Sequence, residues 1–293
     1  MAHDLNAHPS HSLARRMWQT CEPYHAMIYF APEARQAYAD AGLKGYWMGY
    51  FASRAASMGP VPAAVVAATF YNFHYRMVAR SIPDAWRFSS PEQILSARFQ
   101  SADAALRRLL GPEISSSSLA DAVSLAHTAI EACDVSGRPL FAAHYSLPWP
   151  EEPHLALWHA TTLLREYRGD GHVVALLAEG LDGCEAHVTQ AALGRAPRET
   201  LQPNRGWTDE EWTAAEERLR SRGWLDAGGL LTDTGRRGRQ AVEDRTDSLA
   251  SPPWNYLGPE RTTRLSELMW PLSDTIMRGA GLPLPNPLGL AWP

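Results

Sequence analysis

The sequence predicts a mainly α protein. A helical N-terminal domain covers residues 12–195, a winged-helix-like domain with a small β-hairpin covers 196–250, and a C-terminal helix and tail over 251–293 pack back. Three observations carry this prediction. Apolar residues recur every three to four positions along most of 12–194, the period of an amphipathic helix. Pro and Gly fall between those stretches, where the chain must turn. Residues 207–250 then read as helix, short hairpin and helix, the order of the back half of a winged helix.

The elements follow in order. Leu13 to about Ala39 has helical spacing, with breaks expected at Pro23 and Pro32. Lys44–Ser57 is a second helix, and Pro62 suits the first turn of a third that carries Val65, Val66, Phe70, Phe73 and Met77. Residues 81–92 form a loop, and Ser90-Pro91-Glu92 starts a helix to about Leu110. EISSSS (113–118) is a joint, with Ser118 as N-cap of a helix over 119–133. Glu151, Glu152 and Pro153 make a good helix first turn. That helix is predicted to end at Gly169, with Asp170 capping a next one whose apolar face is Val173, Leu177, Leu181, Cys184 and Val188. Thr208 and Glu211 have capping-box spacing for a helix ending at Gly223. Trp224–Leu225 and Leu230–Leu231 flank Asp226-Ala-Gly-Gly as a hairpin, Thr232 caps the next helix, and a last one spans about 259–278.

FASRAASMGPVPAAVVAATF (51–70) can be laid on FAAHYSLPWPEEPHLALWHA (141–160) without a gap, matching Phe51 to Phe141, Ala52 to Ala142 and Pro60 to Pro150. This reads either as chance or as an internal duplication of about 13–111 and 118–194, with a ligand cleft between the halves.

The chain has 293 residues, 45% hydrophobic and 20% charged, which is ordinary globular composition. A net charge of −5 gives no global attraction to nucleic acid or anionic lipid. Cys21, Cys133 and Cys184 suggest neither a disulfide framework nor a zinc site and fit a reducing cytoplasm. The N-terminus lacks the apolar core of a secretory signal, and no apolar run is long enough for a membrane span.

A polar–aromatic pocket is the leading site. One half supplies His25, Tyr29, Tyr46, Tyr50, Arg54, Asn72 and His74 for ligand binding. The other supplies Trp158, His159 and Arg165 for binding, and His144, Asp170 and His172 as the catalytic candidates. Histidine can move a proton near neutral pH, and arginine can hold a carboxylate or phosphate in a forked geometry. Single histidines and tyrosines on helices are also ordinary core-edge residues. Glu22-x-x-His25 and Glu151-x-x-His154 have the spacing of helical di-iron ligands, but each contains Pro and lacks bridging carboxylates, so no metal is expected. No nucleophile elbow or phosphate loop names a cofactor.

Charge argues against a DNA-reading segment. Helix 208–222 sets Asp209, Glu210, Glu211, Glu216 and Glu217 against Arg218, Arg220 and Arg222. The hairpin tip has no cation, leaving Arg236, Arg237 and Arg239 as the basic cluster. The expected partner is therefore a small-molecule ligand, with a homodimer left open. Three classes remain: a binding protein, an acid–base enzyme with His172 or His144 as proton carrier and Arg54 or Arg165 as anchor, and a ligand-responsive DNA-binding regulator.

EPYHAMIYFAPEAR (22–35), GYWMGYFASRAA (45–56), ATFYNFH (68–74), LPWPEEPHLALWHATTLLREYRGDGH (147–172) and RTDSLASPPWNYLG (245–258) resemble an actinobacterial family of SalK-like helix-turn-helix proteins. The resemblance covers nearly the whole chain. It implies one complete bacterial, cytoplasmic protein, and DNA binding by analogy alone.

Overall fold

The structure, a computed structural model, describes residues 12–284 together with 286, 288–290 and 292; the reading of the extreme N-terminus lies outside them. The described residues form sixteen α-helices. The first eight are α1 (Leu13–Ala26), α2 (Pro32–Asp40), α3 (Gly45–Ala55), α4 (Ala63–Phe70), α5 (Tyr75–Ala79), α6 (Ala85–Phe88), α7 (Pro91–Leu110) and α8 (Ser117–Ile130). The remainder are α9 (Pro139–Tyr145), α10 (Pro153–Ala178), α11 (Gly183–Ala192), α12 (Arg198–Leu201), α13 (Asp209–Ser221), α14 (Asp233–Leu249), α15 (Pro252–Leu257) and α16 (Pro259–Arg278). None is long and apolar enough to cross a membrane.

Local chemistry explains most of the boundaries. Ser90 and Gln93 close a capping box on α7, and Thr208 and Glu211 close one on α13. The Thr232 side chain accepts from the Gly235 amide to start α14. Other boundaries depart from expectation. Pro23 lies inside the last turn of α1 without ending it, and Ser116, not Ser118, caps α8. The third predicted helix is cut in two at Tyr71, whose φ of 58° is left-handed, so Phe73 lies between α4 and α5. The loop at 81–92 holds the single turn α6.

The largest correction concerns residues 164–172. Gly169 and Asp170 form no turn: α10 runs unbroken through both for 26 residues. Gly171 permits close packing instead. A Cβ there would lie 2.9 Å from Arg138 Nη1 and 3.2 Å from Leu249 Cβ. Asp170 caps a different helix, its Oδ2 accepting from the amides of Leu140 (3.0 Å) and Phe141 (2.9 Å) at the start of α9. The true break comes later, where Asp182 and Glu185 form the capping box of α11.

The expected hairpin is also reduced. Leu225 and Leu231 make one isolated antiparallel bridge, and no strand occurs among the described residues. The Asp226 carboxylate accepts from the Leu230 amide at 2.9 Å and the Asp226 carbonyl from Gly229 at 3.1 Å, so the tip closes as a turn. Helical structure resumes at the Thr232 cap before ladders can form. A winged domain with a β-hairpin is therefore not what the segment builds. The two blocks of the suggested duplication share a helix–corner–helix order and then diverge, since α4 has eight residues and α10 has twenty-six.

Two apolar clusters hold the chain together. The larger draws on α1 to α10, α15 and α16, with Tyr24, Phe51, Phe141 and Trp158 almost fully buried. The smaller runs from Ala175 to Val242 around Trp212 and Trp224. Gly238 lets α14 lie on the Trp224 ring, because a Cβ there would be 2.3 Å from its Cζ2. The helix α10 belongs to both clusters, through Leu155–Tyr167 and through Ala175–Leu176.

Candidate functional site

A cavity of about 810 Å³ lies where the two clusters meet. Phe70, Phe73 and Leu140 of the larger cluster and Ala186, Ala196 and Leu201 of the smaller line it. Leu284, Asn286, Leu288 and Leu290 of the C-terminal tail close one side. The tail is held by Trp292, which stacks on Trp270 with centroids 4.5 Å apart.

The polar lining falls into two clusters. In the first, Arg54 of α3 reaches both carboxylate oxygens of Glu166 at 3.3 Å, and Arg165 donates to the same group at 2.7 Å. Arg165 also donates to Glu22 at 3.1 Å, and the Trp18 indole donates to Glu22 at 3.0 Å. Burial raises the pKa of Glu166, but Arg165 and Arg54 outweigh it and hold the carboxyl at about 2. For Glu22 burial dominates and its pKa is raised despite Arg165.

The second cluster joins α1, α10 and α14. Arg15 lies 3.1 Å from Glu243 and 3.0 Å from Asp247, Arg168 lies 2.7 Å from Asp247, and Arg239 and Arg195 meet Glu243 at 2.5 and 3.1 Å. Burial pushes Glu243 up, yet Arg239 and Arg195 hold it at about 2. Burial lowers Arg239 to about 10, which leaves it charged at neutral pH. Seven arginines line the cavity (Arg15, Arg54, Arg165, Arg168, Arg195, Arg205 and Arg239) against four carboxylates (Glu22, Glu166, Asp170 and Glu243). A chain of net charge −5 thus concentrates positive charge in its interior.

Six of the residues singled out from the sequence line this cavity: Tyr50, Arg54, Asn72, Arg165, Asp170 and His172. The others lie elsewhere. His25 is sealed in the larger cluster. Thr162 gives its hydroxyl proton to the Trp158 carbonyl, so His25 Nδ1 donates to Thr162 and Nε2 accepts from Tyr29, both at 2.8 Å. Trp158 donates to the His25 carbonyl, and His159 packs on Phe99 and Trp149. Tyr29 and Tyr46, with Tyr50, line a separate hollow of about 110 Å³ between α2 and α3. His144 is buried beyond the cavity lining. His74 accepts from the Arg76 amide through Nδ1 at 3.0 Å, so its Nε2 donates to Glu211, 2.9 Å away. Arg54 and His172 therefore share the cavity, while His74 and His144 do not line it.

Several lining residues carried no sequence signal as site residues. Arg15, Arg195 and Glu243 belong to none of the motifs that single out site residues, Arg239 stands out only as part of a basic cluster, and Arg168 and His187 only as neighbours of Arg165 and His172 on helical spacing. One pattern does mark Arg239. Gly235, Arg239, Val242 and Thr246 follow steps of four, three and four, placing that arginine on the buried face of α14.

The proton chemistry is distinctive. Burial, aided by Arg98, drops His144 to about 3; burial, aided by Arg239, drops His172 to about 3. The Thr246 hydroxyl donates to the Val242 carbonyl, so His172 Nδ1 donates to Thr246 at 2.9 Å. Asp170 moves the other way, raised to about 6 by burial against the Phe141 and Leu140 amides. At neutral pH the site thus offers neutral imidazoles, fixed guanidinium groups and one carboxyl near its titration point.

The surface of α13 is electrostatically spent. Arg218 pairs with Asp182 at 2.5 Å and Glu185 at 2.9 Å, Arg220 pairs with Glu216 at 3.1 Å, and Arg222 donates to the carbonyls of Gly180 and Glu179, both at 2.7 Å. Of the basic cluster on α14, Arg236 and Arg237 are exposed and Arg239 is buried.

No curated protein and no solved structure matches the chain. The model of a helix-turn-helix family matches residues 14–283, from the first turn of α1 to the tail beside the cavity. Because that match takes in both apolar clusters and the cavity between them, the chain belongs to this helix-turn-helix family.

Proposed function

We propose that the protein binds a small organic molecule in the central cavity, with the C-terminal helices serving as cavity wall. The observation that carries this reading is the cavity itself, about 810 Å³ and built from charged side chains of α1, α3, α10 and α14 between two apolar cores. Concave sites of this size, apolar with a few convergent polar groups, are where small ligands bind. The division of the chain at about 195, a homodimer, a cytoplasmic setting and kinship to SalK-like actinobacterial proteins accompany this reading as expectations. Acid–base catalysis is the weaker reading. A general base works best with a pKa near the operating pH, whereas His144 and His172 are pushed down to about 3; Asp170, near 6, has a suitable value but its Oδ2 is engaged by the Leu140 and Phe141 amides.

The test is native mass spectrometry of the protein isolated from its own cells, paired with a thermal-shift screen of small organic fragments. We expect a stoichiometric organic adduct or fragment hits in the wild type. Both are lost in Val173→Trp, which fills the lining. Bare protein with no fragment stabilising it sinks the proposal.

Family membership favours a second reading, a ligand-responsive DNA-binding regulator. The helix α14 lies beside the Leu225–Leu231 bridge and also walls the cavity, so an occupant would bear on that segment. The engaged arginines of α13 speak against sequence readout, because each phosphate contact needs a cation to release counterions. Fluorescence anisotropy with DNA from upstream of the protein's own gene separates the readings. We expect nothing tighter than about micromolar, against the roughly 10⁻⁸ M or better of specific binders.

A further inference from the structure

The cavity carries more information than its size. Five nitrogen atoms on its lining residues are buried without a hydrogen-bond partner among the described residues: Arg15 Nη2, which still lies 3.0–3.1 Å from Asp247 and Glu243, and Arg54 Nε, Arg168 Nη1, and Arg239 Nε and Nη1. Each is a guanidinium nitrogen and can only donate. The corresponding acceptor is Asn72 Oδ1, and His187 Nε2 can play either part. Unmatched donors therefore outnumber unmatched acceptors, and they sit on α1, α3, α10 and α14 rather than in one corner. Arg239 is 2% exposed, so bulk water does not reach it freely. Leaving a buried guanidinium short of acceptors is costly, because the group loses its hydration and gains nothing in return.

The charge count points the same way. Arg54 and Arg165 face Glu166 and Glu22 at one end. Arg15, Arg168, Arg195 and Arg239 face only Glu243 and Asp247 at the other. Each end thus holds a guanidinium with an open donor; the first end is balanced, two guanidiniums to two carboxyls, and the second carries the excess, four to two. A neutral apolar ligand would bury these donors further and gain nothing from them. We propose, building on the cavity reading above, that the ligand is an organic anion with an acidic group at each end, carboxylate or phosphate, held by Arg54 at one end and Arg239 with Arg168 at the other. Forked guanidinium donors match both acid groups, which is why arginine rather than lysine fits this role.

The experiment is calorimetric titration and thermal shift on the full chain. Succinate, adipate and suberate are the dicarboxylate probes, inorganic phosphate and pyrophosphate the phosphate probes, and adipamide the neutral isostere. At least one anion should raise the melting temperature and bind saturably, with affinity falling as salt is raised and no response to adipamide. The series that responds identifies carboxylate or phosphate. Arg239→Gln and Arg54→Gln should each weaken that anion at least tenfold. Arg239→Lys, which keeps the charge and breaks the fork, should weaken it less, and this variant guards against a merely unfolded glutamine mutant. Equal binding of adipamide, or unchanged anion affinity in folded arginine variants, overturns the inference. If only neutral fragments bind, the anion inference fails and the cavity reading stands. If neither anions nor neutral fragments bind, both fail.

Discussion

Arg98 of α7 is 1% exposed, and its two terminal nitrogens have no hydrogen-bond partner among the described residues. Its guanidinium lies over the rings of Trp158, at 5.0 Å, and Tyr29, at 5.8 Å. Cation–π attraction of about 2 kcal/mol for a desolvated pair offsets part of the burial cost. It does not offset the loss of hydration at a whole guanidinium, so Arg98 is a net burden on the fold. Arg98→Met keeps the apolar stem and removes the charge. We expect it to raise the melting temperature, with a gain of about 1–3 kcal/mol in denaturant unfolding, as when buried ionic groups are replaced by well-packed apolar ones. A loss of stability would show that the guanidinium is satisfied in solution. Nothing in the sequence singled out Arg98. Ile94, Arg98 and Ser101 are all buried on α7, but an arginine in such a stripe reads as a stem lying on the surface until its neighbours are known.

At the scale of elements, the caps at Ser90, Thr208 and Thr232 were legible, whereas Ser116, Asp182 and the role of Gly171 were not. Ser90, Thr208 and Thr232 each bond the amide that their spacing promises, because a cap is a contact between residues three apart. The role of Gly171 depends on Arg138 and Leu249, which are remote in sequence, so periodicity could not tell a helix stop from a close crossing. The same blindness hid half of the cavity. Its arginines on α1 and α14 are some 220 residues apart in the chain and meet only after folding, whereas Arg54, Arg165 and His172 sat in motifs conspicuous enough to be chosen. The crossing at Gly171 gives a direct test. Gly171→Val places branched carbons against Arg138 and Leu249 and should cost about 1–3 kcal/mol, the range for overpacking. A far smaller cost from Gly169→Ala is expected in the same urea titration, since a Cβ there meets Glu166 Oε2 at a comfortable 3.5 Å.

Across the whole molecule, buried histidines set the response to acid. His144, His172 and His187 are held near 3 by burial and nearby arginines, and His159 near 4 by burial. Unfolded histidine titrates near 6.5, so between about 6.5 and 4 the unfolded chain binds more protons than the folded one. Stability from these groups is complete above pH 6.5 and is lost as pH falls through that window, by about 1.4 kcal/mol per unit for each group. Asp170 has the opposite sign. Its pKa is raised to about 6, so the folded state binds the extra proton below that value and gains on acidification. His25 is lowered by burial as well, and Glu22 is raised like Asp170, so five imidazoles outweigh two carboxyls, and melting curves at pH 7 and pH 5 should show a fall on the order of 10 °C. A flat profile would mean that the imidazoles are hydrated or paired. The fold class was readable at this scale because helical period survives without tertiary knowledge. The expected wing was not, since whether Leu225 and Leu231 extend into strands depends on how soon α14 restarts.

The unbroken course of α10 has a consequence for how the molecule can move. One rigid rod supplies side chains to both apolar cores, and its middle turns, from Arg165 to Val173, form part of the cavity wall. Hinge bending needs a segment that can absorb a change of backbone angle, and a continuous helix across the boundary offers none there. The two cores are therefore yoked like wheels on a single axle. Access to the interior thus does not depend on bending at α10, and the tail residues Leu284, Leu288 and Leu290 line the cavity from outside the axle.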